Sequence, residues 1–167
     1  MTRISTLLAV CAALALAGCG DRFGGAGGAG SAGGYGATAG SASDPSSIAY
    51  FQQSVGDTVL FTVDESTLSA AAKATLVQQA RWLTANPQYT AVIEGHADEQ
   101  GTREYNLALG ARRANAVQEF LTAQGIQPGR LSTVTYGKER PVALCSAEEC
   151  YAKNRRAVTV LATGGLS

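Results

Sequence analysis

The sequence predicts an α/β fold of the α+β sandwich type, with helices packed on a mixed sheet in the order β-α-β-α-β-β. Three observations predict it. Apolar residues recur at three- and four-residue spacing in two long stretches, short runs rich in β-branched residues alternate with them, and Gly, Asn and Pro punctuate the joins. Thr58 to Val63 reads as the first strand, since Val, Leu, Phe and Thr follow one another without a breaker. Ser66 to Ala85 reads as a helix: Ala72, Leu76, Ala80 and Leu83 share one face, and Asn86-Pro87 stops it. Thr90 to His96 is a second strand. A second helix runs from Thr102 or Arg103 to Gln124; Gly125 ends it and Pro128 lies beyond. Leu131 to Tyr136, closed by Gly137, is a third strand. Cys145 to Asn154 reads as a loop with one helical turn, and Arg156 to Ala162 as the last strand.

Composition divides the chain into three segments, 1–18, 19–47 and 48–167. In the first, Arg3 supplies a short positive region and Ile4 to Ala17 a small apolar one, too short to span a bilayer comfortably. Residues 19–47 are rich in Gly, Ala and Ser, and bury too little to offset chain entropy. A disordered linker of that length spans about 30 Å on average and about 90 Å when fully extended. The third segment is large enough for a single core. Thirteen basic and 13 acidic residues balance, so no electrostatic footprint for nucleic acid is present. Cys11 leaves with the signal. Cys145 and Cys150, five positions apart in an exported chain, are expected to form a disulfide. A zinc site would need four ligands, and the chain has one histidine.

The second helix carries the candidate site. With about 100° per residue and Asn106 at zero, Gly110, Arg113, Val117, Phe120 and Leu121 fall within about 60° of Asn106, on one stripe. Arg113 therefore sits on the packing face and Arg112 points to solvent. A buried charge is costly unless met by an anion. That anion is either an internal carboxylate, Asp98 or Glu94, or a ligand; the residues alone leave both open. Gly110 costs about 1 kcal/mol relative to Ala in a helix interior and opens space one turn before Arg113. Asp98 follows the second strand, Gly101 permits a tight turn, and Thr102 is placed to cap the helix. A carboxylate, a guanidinium and free backbone amides in one region suit an amino acid's ammonium and carboxylate together.

The run from Gly95 to Ala114, with Tyr105-Asn106, Leu109-Gly110 and Arg112-Arg113-Ala114, closely resembles the signature of OmpA-like peptidoglycan-binding domains. The likeness covers about residues 55 to 162 and includes Tyr136-Gly137-Lys138, Pro141 and Asn154-Arg155-Arg156-Ala157, which we read as mainly fold-supporting. The resemblance implies an OmpA-like domain over 48–167 that holds the meso-diaminopimelate of the peptidoglycan stem peptide. Asp98 would take the ammonium and Arg113 the carboxylate of its D-centre. Asn106, Leu109 and Gly110 would line the pocket. At the end of the first strand, where relatives often have Phe-Asp, this chain has Phe61-Thr62; backbone contacts and a hydroxyl remain there, without the carboxylate.

Leu16-Ala17-Gly18-Cys19 resembles the lipobox of bacterial lipoproteins. The resemblance implies cleavage before Cys19, a diacylglycerol on its thiol, and acylation of the new amino terminus. Gly20, rather than Asp, follows Cys19, which by likeness to enterobacterial sorting rules implies the outer membrane, with the domain facing the periplasm. By the same resemblance the partners are peptidoglycan, TolB and the other Tol components, in envelope integrity and cell division. A scaffold lipoprotein of a different envelope complex is the alternative. Catalysis is not expected. His96 has no serine elbow beside it, it reads as structural, and a cell-wall hydrolase using Glu94 and Asp98 is a remote third reading. The binding reading requires no cofactor and no metal.

Overall fold

A computed structural model describes residues 40–163, and its centre is a four-stranded sheet. The strands are β1 (Thr58–Leu60), β2 (Tyr89–His96), β3 (Leu131–Gly137) and β4 (Arg156–Thr163), in the spatial order β1-β4-β2-β3. β2 and β3 run parallel, and β4 is antiparallel to both β2 and β1, so the sheet is mixed as expected. The signal region, Cys19 and most of the stretch read as linker lie outside the described residues.

The helices are α1 (Ile48–Tyr50), which continues as a π-helical segment over Phe51–Gly56, then α2 (Ala70–Ala85), α3 (Arg103–Ala123) and α4 (Glu148–Asn154). α2 and α3 lay their apolar stripes on one face of the sheet. Leu76, Ala80 and Leu83 meet Val117 and Leu121, and both sets bury Ile93, Ala157 and Leu161. Val92, Glu94, Val134, Tyr136 and Val160 border a cleft on the other face.

Local chemistry sets the boundaries. Thr102 stands in extended conformation and its hydroxyl accepts from Tyr105 N, so α3 starts at Arg103. It ends in a Schellman motif: Gly125, at φ 98°, donates to Thr122 O and Ile126 donates to Leu121 O, with Ile126 buried. α2 starts later than the sequence predicts, because Ser69 rather than Ser66 is the capping residue and accepts from Ala72 N. β1 stops at Leu60, short of the predicted Val63. Glu65 N donates to Thr62 O in a turn, and Asp64 adopts φ 58° there.

The body also begins earlier than residue 48. Trp82 Nε1 donates to Pro45 O at 2.7 Å, Tyr89 Oη donates to Ser46 O at 3.1 Å, and Ser47 caps α1. The Trp82 ring packs between Phe51 and Tyr89, with centroids at 4.9 and 5.2 Å. Cys145 and Cys150 are joined by a disulfide, and α4 is longer than the single turn expected.

α3 crosses β2 at two glycines. A Cβ on Gly95 would overlap the carbonyl oxygen of Gly110, and one on Gly110 would overlap Thr135 Oγ1 and stand 2.8 Å from Gly95 O. Gly110 therefore serves close helix–sheet packing. Gly95→Ala and Gly110→Ala are each expected to lower stability by about 1–3 kcal/mol through overpacking. Gly129→Ala meets nothing within 4 Å and should be near neutral. Urea unfolding midpoints of the three variants check this, and equal midpoints would contradict the crossing.

Candidate functional site

The site forms where β2 ends and α3 begins. Between Gly95 and His96 the pairing with β3 shifts by a residue, and beyond the strand Asp98 turns inward at 7% exposure. Its Oδ1 accepts from Gln100 N at 3.1 Å, an Asx turn that shapes the loop. Gly101 at φ 91° completes the turn into the Thr102 cap. Asn106 Nδ2 donates to Gln100 O at 2.7 Å, and Lys138 Nζ donates to Gly101 O at 2.7 Å, so the loop is held from both sides.

Beside this loop lies a cavity of about 290 Å³ lined by Val63, Asp64, Asp98, Gln100, Gly101, Tyr105, Asn106 and Leu109. Its volume lies at the lower end of the range of small-molecule pockets, about 300–1,000 Å³. It offers two carboxylates, two side-chain amides and a phenol, with Val63 and Leu109 as apolar walls. Tyr105 Oη donates to Asp64 Oδ1.

Arg113 lies fully buried within the α3 stripe. Neither internal carboxylate meets it. Its Nε donates to Glu65 O at 2.8 Å, Nη1 to His96 O at 2.8 Å, and Nη2 to Thr62 O at 3.1 Å, while the guanidinium stands 5.2 Å from the Phe61 ring centroid. Three of its five N–H bonds are thus taken by neutral carbonyls. Burial lowers its pKa to about 10, opposed by the charge of Asp98, so it remains a cation at neutral pH. The accepting residues adjoin cavity residues: Thr62 precedes Val63, Glu65 follows Asp64, and His96 lies two before Asp98.

The internal partner of Asp98 is Arg155, whose Nη1 donates to Asp98 Oδ2 at 3.2 Å. Asn154 fits the fold-supporting reading, since its side chain holds the backbone of Val142 and Ala143. Arg155 in addition contacts a cavity residue, through its bond to Asp98. Among the residues expected from the sequence, Asp98, Asn106 and Leu109 share the cavity, and Arg113 stands behind it. Gly110 packs on Gly95 and Thr135. Phe61 and Thr62 line a separate cleft of about 320 Å³ with Leu60, Glu65 and Leu68. Thr62 brings no carboxylate to the cavity, whereas Asp64, two residues on, lines it. Sequence reasoning passed over Asp64 and gave Tyr105 and Arg155 no place in the site; a search of the whole turn after β1, rather than of its first pair, would have found Asp64.

His96 is neutral. Burial, then the charges of Arg156 and Arg140, lower its pKa to about 4, and neither ring nitrogen has a hydrogen-bond partner. Its 3.5 Å approach to Glu94 Oε2 is therefore not an ion pair.

Residues 60–155 match the profile of the OmpA family. The chain is 48% identical over 165 residues to the peptidoglycan-associated lipoprotein of Mesorhizobium japonicum, covering 99% of this chain and 96% of that protein. It is 53% identical over 124 residues to the protein of the same name from Brucella melitensis, 74% of each chain. The crystal structure of the peptidoglycan-associated lipoprotein from Burkholderia pseudomallei superposes with a TM-score of 0.64 at 39% identity, over 72% of this chain and 98% of that one. These relatives bear the name of a lipoprotein, not of an enzyme.

The neutral histidine makes an acid-stability prediction. Its folded pKa of about 4 lies below the usual 6.5, so the unfolded chain takes up the proton first. Stability from this source is complete above about pH 6.5 and is lost as pH falls toward 4. Thermal unfolding of wild type should weaken across that window, and His96→Gln should show a flatter profile. Parallel profiles would show that His96 titrates alike in the folded and unfolded chains, against the lowered pKa.

Proposed function

The chain belongs to the OmpA family, among the peptidoglycan-associated lipoproteins, and from that premise we propose that it binds peptidoglycan non-covalently through the diaminopimelate of the stem peptide. The observation that carries this reading is Arg113, a buried cation with no carboxylate against it, standing behind a cavity that presents Asp98 and Asp64. A zwitterionic side-chain end matches that arrangement. Its ammonium meets Asp98, with Asp64 at the rim, and its carboxylate meets the N–H bonds of Arg113 that the protein leaves free. Asn106 and Leu109 fix the body of the ligand. Phe61, Thr62 and Gly110 act by placing Arg113: the ring lies under the guanidinium, the Thr62 carbonyl accepts from it, and Gly110 lets α3 approach.

In this reading residues 1–18 are a signal peptide, Cys19 carries the lipids, and the segment from Cys19 to the folded body is the linker. The protein is held in the outer membrane with its domain in the periplasm, and works with TolB in the Tol–Pal system. It tethers membrane to wall without altering either covalently.

The test is a calorimetric titration of the full-length protein in detergent with a disaccharide-tripeptide carrying meso-diaminopimelate. Asp98→Ala should lose on the order of 1.5–3 kcal/mol of binding free energy, the range for a hydrogen bond to a charged group. A tripeptide with lysine in place of diaminopimelate, which keeps the side-chain ammonium but lacks the carboxylate offered to Arg113, should bind far more weakly. A folded wild type that takes up no muropeptide would sink the proposal, as would an Asp98→Ala variant that binds like wild type.

A further inference from the structure

Asp98 is gripped from behind by a small assembly that the ligand reading does not use. Arg155, which holds Asp98 Oδ2, is itself buried and multiply bonded. Its Nε donates to Phe61 O at 3.2 Å, and Nη1 and Nη2 donate to the carboxylate of Glu148, the first residue of α4. Its backbone ties β1 to α4, since Arg155 N donates to Tyr151 O and Phe61 N donates to Arg155 O, both at 2.9 Å. α4 is short, and Ala147 gives it no side-chain cap. The Cys145–Cys150 disulfide closes the chain around that uncapped end and fixes the turn from which Glu148 projects. From the same helix, Tyr151 Oη donates to Glu99 Oε1 at 2.7 Å, beside Asp98.

We propose that Arg155 is a positioning residue for the cavity, and that the disulfide acts on ligand affinity through Glu148 and Arg155. This rests on the cavity being the peptidoglycan site. A carboxylate has about four acceptor positions. Gln100 N and Arg155 Nη1 take one on each oxygen of Asp98, which fixes the plane of the group and leaves its remaining acceptors to an incoming ammonium. Pre-set orientation of this kind raises affinity because less is ordered on binding. Glu148 keeps Arg155 in place, and the disulfide keeps Glu148 in place. Glu148 is itself two-thirds exposed, at 67%, so its own removal need not disturb the core.

The experiment uses the full-length protein in detergent and the same disaccharide-tripeptide, with circular dichroism on every variant. Arg155→Ala should bind roughly tenfold more weakly and Arg155→Lys should recover part of the loss, while Glu148→Gln and Cys145→Ser/Cys150→Ser should each bind roughly threefold more weakly. The decisive readout is a double-mutant cycle, followed by NMR where binding is weak. If Arg155 acts through Asp98, then in an Asp98→Asn background Arg155→Ala should change affinity by less than about twofold. A full tenfold loss in that background would show a general structural role and overturn the inference. Should Arg155→Ala fail to fold, Glu148→Gln decides, and unchanged affinity overturns the inference. Wild-type binding with unaffected variants defeats this inference alone; absence of wild-type binding defeats the site reading, and this inference with it.

Discussion

A guanidinium buried without a carboxylate constrains everything around it. Such a charge is tolerated only where other groups meet its N–H bonds, and Arg113 finds carbonyls in two separate stretches of chain. Thr62 and Glu65 must turn their carbonyls inward, so the chain after Leu60 cannot continue as a strand. His96 must do the same at the end of β2, where the β3 pairing slips. α3 must lie close enough for the side chain to reach both, and the Gly95–Gly110 contact sets that distance. The loop, the slipped pairing and the glycine crossing are consequences of one placed cation, and the cavity is the space they enclose.

Elements with long periodic patterns were legible in the sequence, and those defined by distant partners were not. α3 was read to within a residue, because its stripe, its Thr102 cap and its Gly125 terminus are all local. The end of β1 was overrun because the groups that divert it, on Arg113, lie about fifty residues away in sequence. Ser66 and Ser69 are equally good caps by residue type, and only the fold selects Ser69. The π-helical segment at Phe51 has too few apolar residues to show a period, yet Phe51 is fully buried under Trp82. α4 is short and depends on a covalent bridge rather than on propensity.

The candidate site divides in the same way. Asp98, Asn106, Leu109 and Arg113 lie in or beside one continuous motif, so their neighbourhood follows from the strand–turn–helix that carries them. Asp64 and Arg155 come from the same end of the antiparallel β1–β4 pairing, where Leu60 faces Arg156. Nothing in either local sequence says that they approach Asp98. The pair Arg155-Arg156 looks like the charged start of a strand, and only the tertiary structure shows that the first of the two faces a carboxylate while the second lies near Glu94.

The docking of Pro45 and Ser46 on Trp82 and Tyr89 has a mechanical consequence. The chain enters the folded body beside the first residue of β2, and the cavity lies just past the last. At about 3.3 Å per residue these points are roughly 26 Å apart along one strand. β2 is an interior strand, hydrogen-bonded to β3 on one side and β4 on the other. A pull between the amino-terminal side and a molecule held at Asp98 therefore runs along the strand axis. It loads both ladders in shear, with many hydrogen bonds resisting together, rather than peeling them open one at a time.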